Sequence, residues 1–295
     1  MHEEFYRIKR LPPYIFSEIN NLKANLRKDS VDIIDFGMGN PDIDAGEHIV
    51  NKLIETAKKS KDPRYSASKG ISGLRRAKAN YYERRFGVSL DPETEIITTL
   101  GSKEGLANLA SAMTAPGDLI LVPNPTYPIH AYGFMIAGGT LRHIPSLVEG
   151  VFNAEEYLKT LSRAVMHSIP KPIALVISFP SNPTAQLCDL DFYKELVKFA
   201  KKHSIWIISD LAYSEIYFDD NPPPSILQIE GAKEVCVEFT SMSKTFSMAG
   251  WRVGFAVGNK YLINALTRIK SYLDYGAFTP VQVAAVEALN GPQVY

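Results

Sequence analysis

One lysine and one arginine, Lys244 and Arg252, stand eight positions apart within VEFTSMSKTFSMAGWRVGFAVG, residues 237–258. An apolar, β-branched run at residues 235–239 leads into Ser241, Met242, Ser243 and Lys244, and Gly250 to Phe255 opens a second strand-like run. Ser, Thr, Met, Phe and Trp are poor company for a solvated ammonium. Burial lowers a lysine's proton affinity, by up to roughly 3–5 units when desolvation is complete, and the neutral amine is then free for Schiff-base chemistry. Ser241 and Arg252 offer what an oxyanion such as phosphate needs, a hydroxyl donor and a planar charged fork. The local pattern is a reactive lysine beside an anion site.

Other chemistry-bearing residues share one kind of position. A strand at 96–100 ends in Gly101-Ser102-Lys103-Glu104-Gly105, and a helix follows to about residue 115. A glycine turn opening a helix presents free N–H groups and a positive dipole end, where each favourable charge gains about 0.3–1 kcal/mol. Many α/β chains contain such a turn, so alone it is weak evidence. Strands at 118–122, 172–178 and 205–209 are followed by Tyr127, by Asn182-Pro183, and by Asp210 with Tyr213. Taken singly, Tyr127 could pack in the core and Asn182-Pro183 could only start a turn. Together with Gly101, Ser241 and Lys244 they place six pieces just past strand ends, the edge at which open α/β sheets bind ligands.

The elements that position them alternate from residue 96 in the manner of a doubly wound sheet. Ahead of it, Ile15, Ile19, Leu22 and Leu26 recur at helical spacing, and a strand is expected at 31–36, then the loop Gly37-Met38-Gly39-Asn40-Pro41-Asp42. A helix over 48–60 ends in the basic run 58–61, read as a solvated helix end. Tyr65 precedes Gly73-Leu74-Arg75-Arg76, which opens another helix, and further helices are expected at 192–203, 261–271 and 281–289, with a loop at 272–280.

The whole chain narrows the class. Its 295 residues are 45% hydrophobic, enough to bury a sizeable core. Lys+Arg and Asp+Glu are equal at 32 each, so nothing points to nucleic acid or an anionic membrane. Cys188 and Cys236 make no disulfide framework, and the six histidines lack metal-ligand spacing, so no metal is expected. The N-terminus has no apolar signal-peptide core and no run approaches a membrane span; a cytoplasmic chain is expected.

The S-x-S-K-x-F-x-M-A-G-W-R-x-G pattern of residues 241–254 resembles the lysine segment of pyridoxal-phosphate aminotransferases of fold type I, class I/II. The resemblance implies a three-layer α/β/α sandwich with a mostly parallel sheet. It implies that Lys244 bonds the cofactor's aldehyde and later moves the substrate's Cα proton, and that Ser241 and Arg252 bind the phosphate with backbone donors of Ser102 and Lys103. Tyr127 matches the aromatic that stacks on the pyridine ring, and Asn182 and Tyr213 match the ligands of its phenolic oxygen. Asp210 matches the acid facing the pyridine nitrogen, and Gly39 and Asn182 lie where the substrate carboxylate binds. Ala185 stands where the family usually has glycine. Tyr65 matches a tyrosine that reaches the phosphate of the neighbouring subunit, which implies a homodimer.

The larger pattern, including PSNPTAQ and SDLAYSEIYFDD, is most similar to bacterial alanine (glutamate–pyruvate) aminotransferases; aspartate and LL-diaminopimelate branches are related. The extra arginine of one dicarboxylate-specific branch is absent, since no arginine follows Arg268. Residues 1–45 match the arm and first part of a small domain, and residues 46–295 the cofactor-binding domain. The family's C-terminal portion, roughly a hundred residues and an ordinary domain size, has no counterpart here. It carries the arginine that clamps the substrate α-carboxylate. The expectation is therefore an incomplete small domain and a chain that binds cofactor but transaminates poorly. Two other classes share these residues: a fold type I carbon–sulfur lyase, and a cofactor-sensing regulatory domain. The latter ranks last, because residues 1–45 show neither a helix-turn-helix pattern nor a basic patch.

Overall fold

The computed structural model describes residues 5–37, 39–59, 61 and 64–292; Met38 of the first loop and Ser60 of the basic run lie outside the described residues. A seven-stranded sheet is built from β1 (Ile96–Thr99), β2 (Leu119–Asn124), β3 (Thr140–Pro145), β4 (Pro172–Ser178), β5 (Trp206–Asp210), β6 (Cys236–Ser241) and β7 (Gly254–Gly258). Their order is β1-β7-β6-β5-β4-β2-β3. Only β7 runs antiparallel, to β1 and β6; the other pairs are parallel. One reversed strand has a specific consequence. The carboxyl ends of the other six strands share an edge with the amino end of β7, so residues just before β7 meet residues just after its neighbours.

Both faces of the sheet are covered, which is why its central strands read as near-continuous apolar runs. Along β4, Leu175 and Ile177 face one layer while Ala174 and Val176 face the other. The helices longer than four residues are α1 (Ile15–Lys28), α2 (Glu47–Ala57), α3 (Ser72–Phe86), α4 (Ser102–Met113), α5 (Pro128–Ala137), α6 (Ala154–Met166), α7 (Leu190–His203), α8 (Lys260–Leu273) and α9 (Thr279–Asn290). Leu109 of α4, Phe134 of α5 and Leu266 of α8 build one core; Ile49, Leu74, Leu161, Leu196 and Leu289 of α2, α3, α6, α7 and α9 build the other. This is the three-layer architecture expected from the resemblance.

Several expectations need correction. Residues 31–36 are not a strand. A strand needs a ladder partner, none pairs with this segment among the described residues, and Ile34 and Phe36 are exposed. The apolar stripe of α1 is uncovered as well, with no residue of that helix buried. Sequence patterning also passes over α5, β3 and α6. Helix α5 is apolar nearly all round, with Pro128 at its first turn, and β3 is an edge strand whose side chains are largely exposed, so neither shows a clean period. Helix α9 begins at Thr279, two residues before the expected start.

Two buried charges lie behind the sheet. Glu238 on β6 is saturated: Tyr82 Oη (2.9 Å), Ser225 Oγ (2.5 Å), Ser209 Oγ (3.1 Å) and the Ile226 N–H (3.4 Å) all donate to it. Burial raises its pKa above the usual carboxylate value, and those donors oppose the rise. Lys78 on α3 is also buried, its Nζ 4.1 Å from the Tyr81 ring centroid and 5.0 Å from those of Tyr82 and Phe255. Desolvation pushes its pKa from 10.5 down to about 7, with Glu215 and Glu238 opposing. The unfolded chain therefore holds a proton on Lys78 that the folded chain has released, between pH 10.5 and about 7. Stability contributed by the neutral amine is present above the unfolded pKa and is lost as pH falls through the folded one. Replacing Lys78 by Met should flatten the stability–pH curve in that window by up to about 1.4 kcal/mol per pH unit. Urea unfolding of both proteins at stepped pH checks it; an unchanged slope refutes it.

Candidate active site

The shared sheet edge opens into a cleft of about 540 Å³, within the size range of small-molecule sites. Its lining includes Gly39, Ser102, Lys103, Tyr127, Asn182, Asp210, Tyr213, Ser241, Lys244 and Arg252. Of the site residues anticipated from sequence, all but Tyr65 meet in this one cavity.

An anion cup forms at one end. The turn from β1 into α4 brings Gly101 and the helix N-terminus to the edge, and Ser241 at the end of β6 pairs with Gly254 at the start of β7. Arg252, two residues before Gly254, lies in the left-handed region at φ 58°. Its guanidinium is held by Nη1 to Ala249 O (2.8 Å) and Nη2 to Leu100 O (3.1 Å). The fit is tight enough that a Cβ on Gly101, itself at φ +85°, would fall 2.1 Å from Arg252 Nη2. A Cβ on Gly254 would fall 2.6 Å from Ser102 N. Backbone donors, a hydroxyl and a cation thus converge where only glycines allow the approach. A phosphate group fits that donor set.

Lys244 lies on a single helical turn, Met242–Thr245, directly after β6. Its Nζ donates to Gly39 O (2.9 Å) and stands 6.0 Å from the Tyr213 ring centroid. It is half-buried, not the fully enclosed lysine its neighbours suggested, and desolvation lowers its pKa from the ordinary 10.5. The contact also ties Gly39 to the cleft floor.

The far wall holds the acid. Asp210, at the end of β5, is buried, with Oδ2 2.8 Å from His130 Nε2 and Oδ1 accepting from the Ala212 N–H (3.2 Å). His130 is fully buried, and its Nδ1 lies 2.8 Å from Thr126 Oγ1. Neutral His130 with hydrogen on Nε2 satisfies both contacts: Thr126 donates to Nδ1 and Nε2 donates to Asp210. Between acid and lysine, Asn182 Nδ2 donates to Tyr213 Oη at 3.3 Å, so both polar heads point at one spot. Burial, then the charge of Asp210, raises the Tyr213 pKa while Asn182 opposes. Tyr127 is half-buried; it packs on the core and lines the cleft at once. Ala185 occupies φ 54°, which explains why glycine suits that position.

Tyr65 is elsewhere. It is 87% exposed and packs against Tyr275, the rings tilted at 39° with 4.7 Å between centroids. His130 and Thr126 lie outside the sequence expectations, since metal-ligand spacing says nothing of a histidine that pairs with an acid. The available signal was position: they sit four residues apart at the start of the helix that follows β2 at the ligand edge. Tyr14 and Phe16 also line the cleft, and Lys103 Nζ lies 3.5 Å from Tyr14 Oη.

The family model described as aminotransferase class I and II matches residues 31–295. The chain is 64% identical over 289 residues to the putative aminotransferase AatC of Rhizobium meliloti (strain 1021), covering 98% of this chain and 70% of that protein. It is 52% identical over 289 residues to the glutamate-pyruvate aminotransferase AlaC of Escherichia coli (strain K12), covering 98% and 69%. Among solved structures, substrate-bound BacF of Bacillus subtilis superposes with a TM-score of 0.90 at 35% identity, over 99% of this chain and 73% of that one. The chain thus spans about seven-tenths of the length of these relatives.

The desolvated amine sets an expectation independent of any ligand. In competitive acetylation across a pH series, Lys244 should reach its half-maximal reactivity below the ordinary 10.5, ahead of the lysine of an unstructured reference peptide. Peptide mapping reads each site; coincident profiles for the two lysines would refute it.

Proposed function

The chain belongs to the aminotransferase class I and II family, and from that footing we propose that it moves the amino group of alanine to 2-oxoglutarate, giving pyruvate and glutamate, with pyridoxal 5′-phosphate as cofactor. The observation that carries this is the meeting of one desolvated lysine, one histidine-backed acid and one anion cup in a single cleft. When bound, pyridoxal phosphate supplies an electron sink for the pair left when the substrate Cα–H bond breaks.

The chain's residues then have separable tasks. Ser241, Arg252 and the first N–H groups of α4 hold the phosphate. Asp210, its orientation fixed by His130, keeps a proton on the pyridine nitrogen, because opposite charges stabilise each other's ionised forms. Asn182 and Tyr213 hydrogen-bond the phenolic oxygen, and Tyr127 packs on the ring. Gly39 and Asn182 border the substrate carboxylate. Lys244 Nζ, with its lowered proton affinity, takes the proton from Cα and returns it to the other side of the transfer.

Alanine is favoured by the 52% identity to a glutamate-pyruvate enzyme and by the lack of an arginine between Arg268 and Phe278, where one dicarboxylate-specific branch carries its extra one. Residues 46–295 act as the cofactor-binding domain and residues 1–45 as an arm and the first part of a small domain, in a cytoplasmic homodimer. Exposed Tyr65, Tyr272, Tyr275 and Phe278 support the dimer, since aromatic side chains left in water favour a partner surface. No helix among the described residues is long and apolar enough to cross a membrane.

Incubation with pyridoxal phosphate followed by borohydride should label Lys244 alone, and Lys244→Ala should take no label. A label on another residue, or none, overturns the cofactor assignment. With 2-oxoglutarate as acceptor, alanine should react faster than aspartate or diaminopimelate, and a thio-amino acid should yield no pyruvate and ammonia without an acceptor. The opposite rankings reassign the substrate or the reaction. Asp210→Asn, which keeps the shape and loses the charge, should slow the half-reaction with alanine by about 100-fold or more, read by stopped-flow absorbance.

A further inference from the structure

Helix α4 presents a difficulty for an anion site. Its first turn carries a carboxylate, Glu104, close to the N–H groups that form the cup. An unpaired anion there would repel a phosphate through the same field that attracts it. The structure answers with a buried ammonium from the other end of the sequence. Lys270 falls on the inward stripe of α8 with Leu262 and Leu266, four residues apart each time, and is fully buried. Its Nζ contacts Glu104 Oε1 at 2.6 Å and Asp274 Oδ2 at 2.8 Å.

From Lys270 two chains of contacts lead outward. On one side, Glu104 Oε1 also accepts from Asn108 Nδ2 (2.5 Å), while Oε2 accepts from the Leu100 N–H (2.8 Å). Leu100 O in turn receives Arg252 Nη2 at 3.1 Å. One residue therefore takes its N–H partner from the buried pair and gives its carbonyl to the guanidinium of the cup. On the other side, Asp274 Oδ1 accepts from the Gly276 N–H (2.6 Å), and Asp274 O accepts from Ser68 Oγ. Those bonds fix the two segments that carry Tyr275 and Tyr65, whose rings pack at a tilt.

We propose that Lys270 is a positioning residue for phosphate binding: it neutralises Glu104, holds it turned onto Leu100, and so sets the Gly101–Arg252 rim, while Asp274 carries the same anchor to the Tyr65 segment. The inference rests on the cofactor reading above. Lys270 does not line the cleft; it acts through Glu104 and Leu100. Its role is specific to the phosphate because the chain of contacts ends at the cup and not at Lys244 or Asp210.

The test compares pyridoxal phosphate with pyridoxal, which lacks the phosphate, by absorbance titration of the full chain. Lys270→Met should weaken pyridoxal phosphate at least tenfold and pyridoxal less than twofold. Adding Glu104→Gln, which removes the uncompensated charge and keeps an acceptor for Leu100, should recover at least threefold for the phosphorylated compound. A residue that merely stabilises the fold would move both ligands alike and give no recovery; either result, or no loss at all, overturns the proposal. Should Lys270→Met not fold, Glu104→Ala frees the Leu100 N–H while leaving Lys270 paired with Asp274, and carries the same expected selectivity. Equal losses for the two ligands in that variant, or none, likewise overturn it. A wild-type chain that takes neither compound on Lys244 defeats the cofactor reading and this inference with it. A wild type that binds, with variants that fail to discriminate, defeats this inference alone.

Discussion

The guanidinium of Arg252 passes through the space a side chain on Gly101 would occupy, 2.1 Å from where its Cβ would stand. That approach is possible because β7 runs against its neighbours. A chain entering β7 arrives at the edge from which β1 and β6 depart, so Arg252 meets Gly101 and Ser241 with no long connection between them. Had β7 been parallel, its entry would lie at the opposite edge, some five residues and about 17 Å away. Strand polarity therefore decides whether a cation and a helix N-terminus share one anion. The strain of a left-handed arginine, of order 1 kcal/mol, is maintained by carbonyls of Ala249 and Leu100 that over-determine the side chain.

The cleft is closed from a distant part of the sequence. Lys244 donates to Gly39, 205 positions away, so the loop before α2 is docked on the amine. A fully sealed lysine would lose most of its affinity for protons, and a fully open one none. The half-buried position, with one carbonyl partner, gives a depressed proton affinity while leaving the amine on the cavity surface. Access and desolvation are balanced at the same atom.

How much of this is legible in the sequence follows from what each residue's role depends on. Gly101, Asn182, Asp210, Ser241 and Lys244 are readable because a parallel sheet turns "just past a strand" into "at the ligand edge" without further information. Arg252 is readable through its proximity to Lys244. His130 escapes because its role depends on a 2.8 Å contact with a residue 80 positions on, and Lys270 because its partner Glu104 lies 166 positions back. Lys270 does leave a trace, a lysine on a buried helical stripe. Residues 31–36 are misread for the reverse reason: β-branched composition records a tendency to extend, whereas a strand exists only with a neighbour to complete its ladder. Helix α5 gives no period because both its faces are apolar enough to bury.

Two buried carboxylates on adjacent strands show how partner accounting separates structure from function. Glu238 and Asp210 belong to β6 and β5, and Glu238 pairs in register with Ser209, the residue before Asp210. With a side-chain period of two, they fall on opposite faces of the sheet. A carboxylate has about four acceptor sites. Glu238 receives four donors, all from the protein, and faces a closed core, so nothing can be added without displacing a tyrosine, a serine or a backbone amide. Asp210 receives one backbone donor and one imidazole and borders the cleft, so acceptor capacity remains on the side where a ligand would stand. Burial alone would not distinguish them, since each is less than a tenth exposed. The difference lies in the unused lone pairs, and those belong to the acid backed by His130.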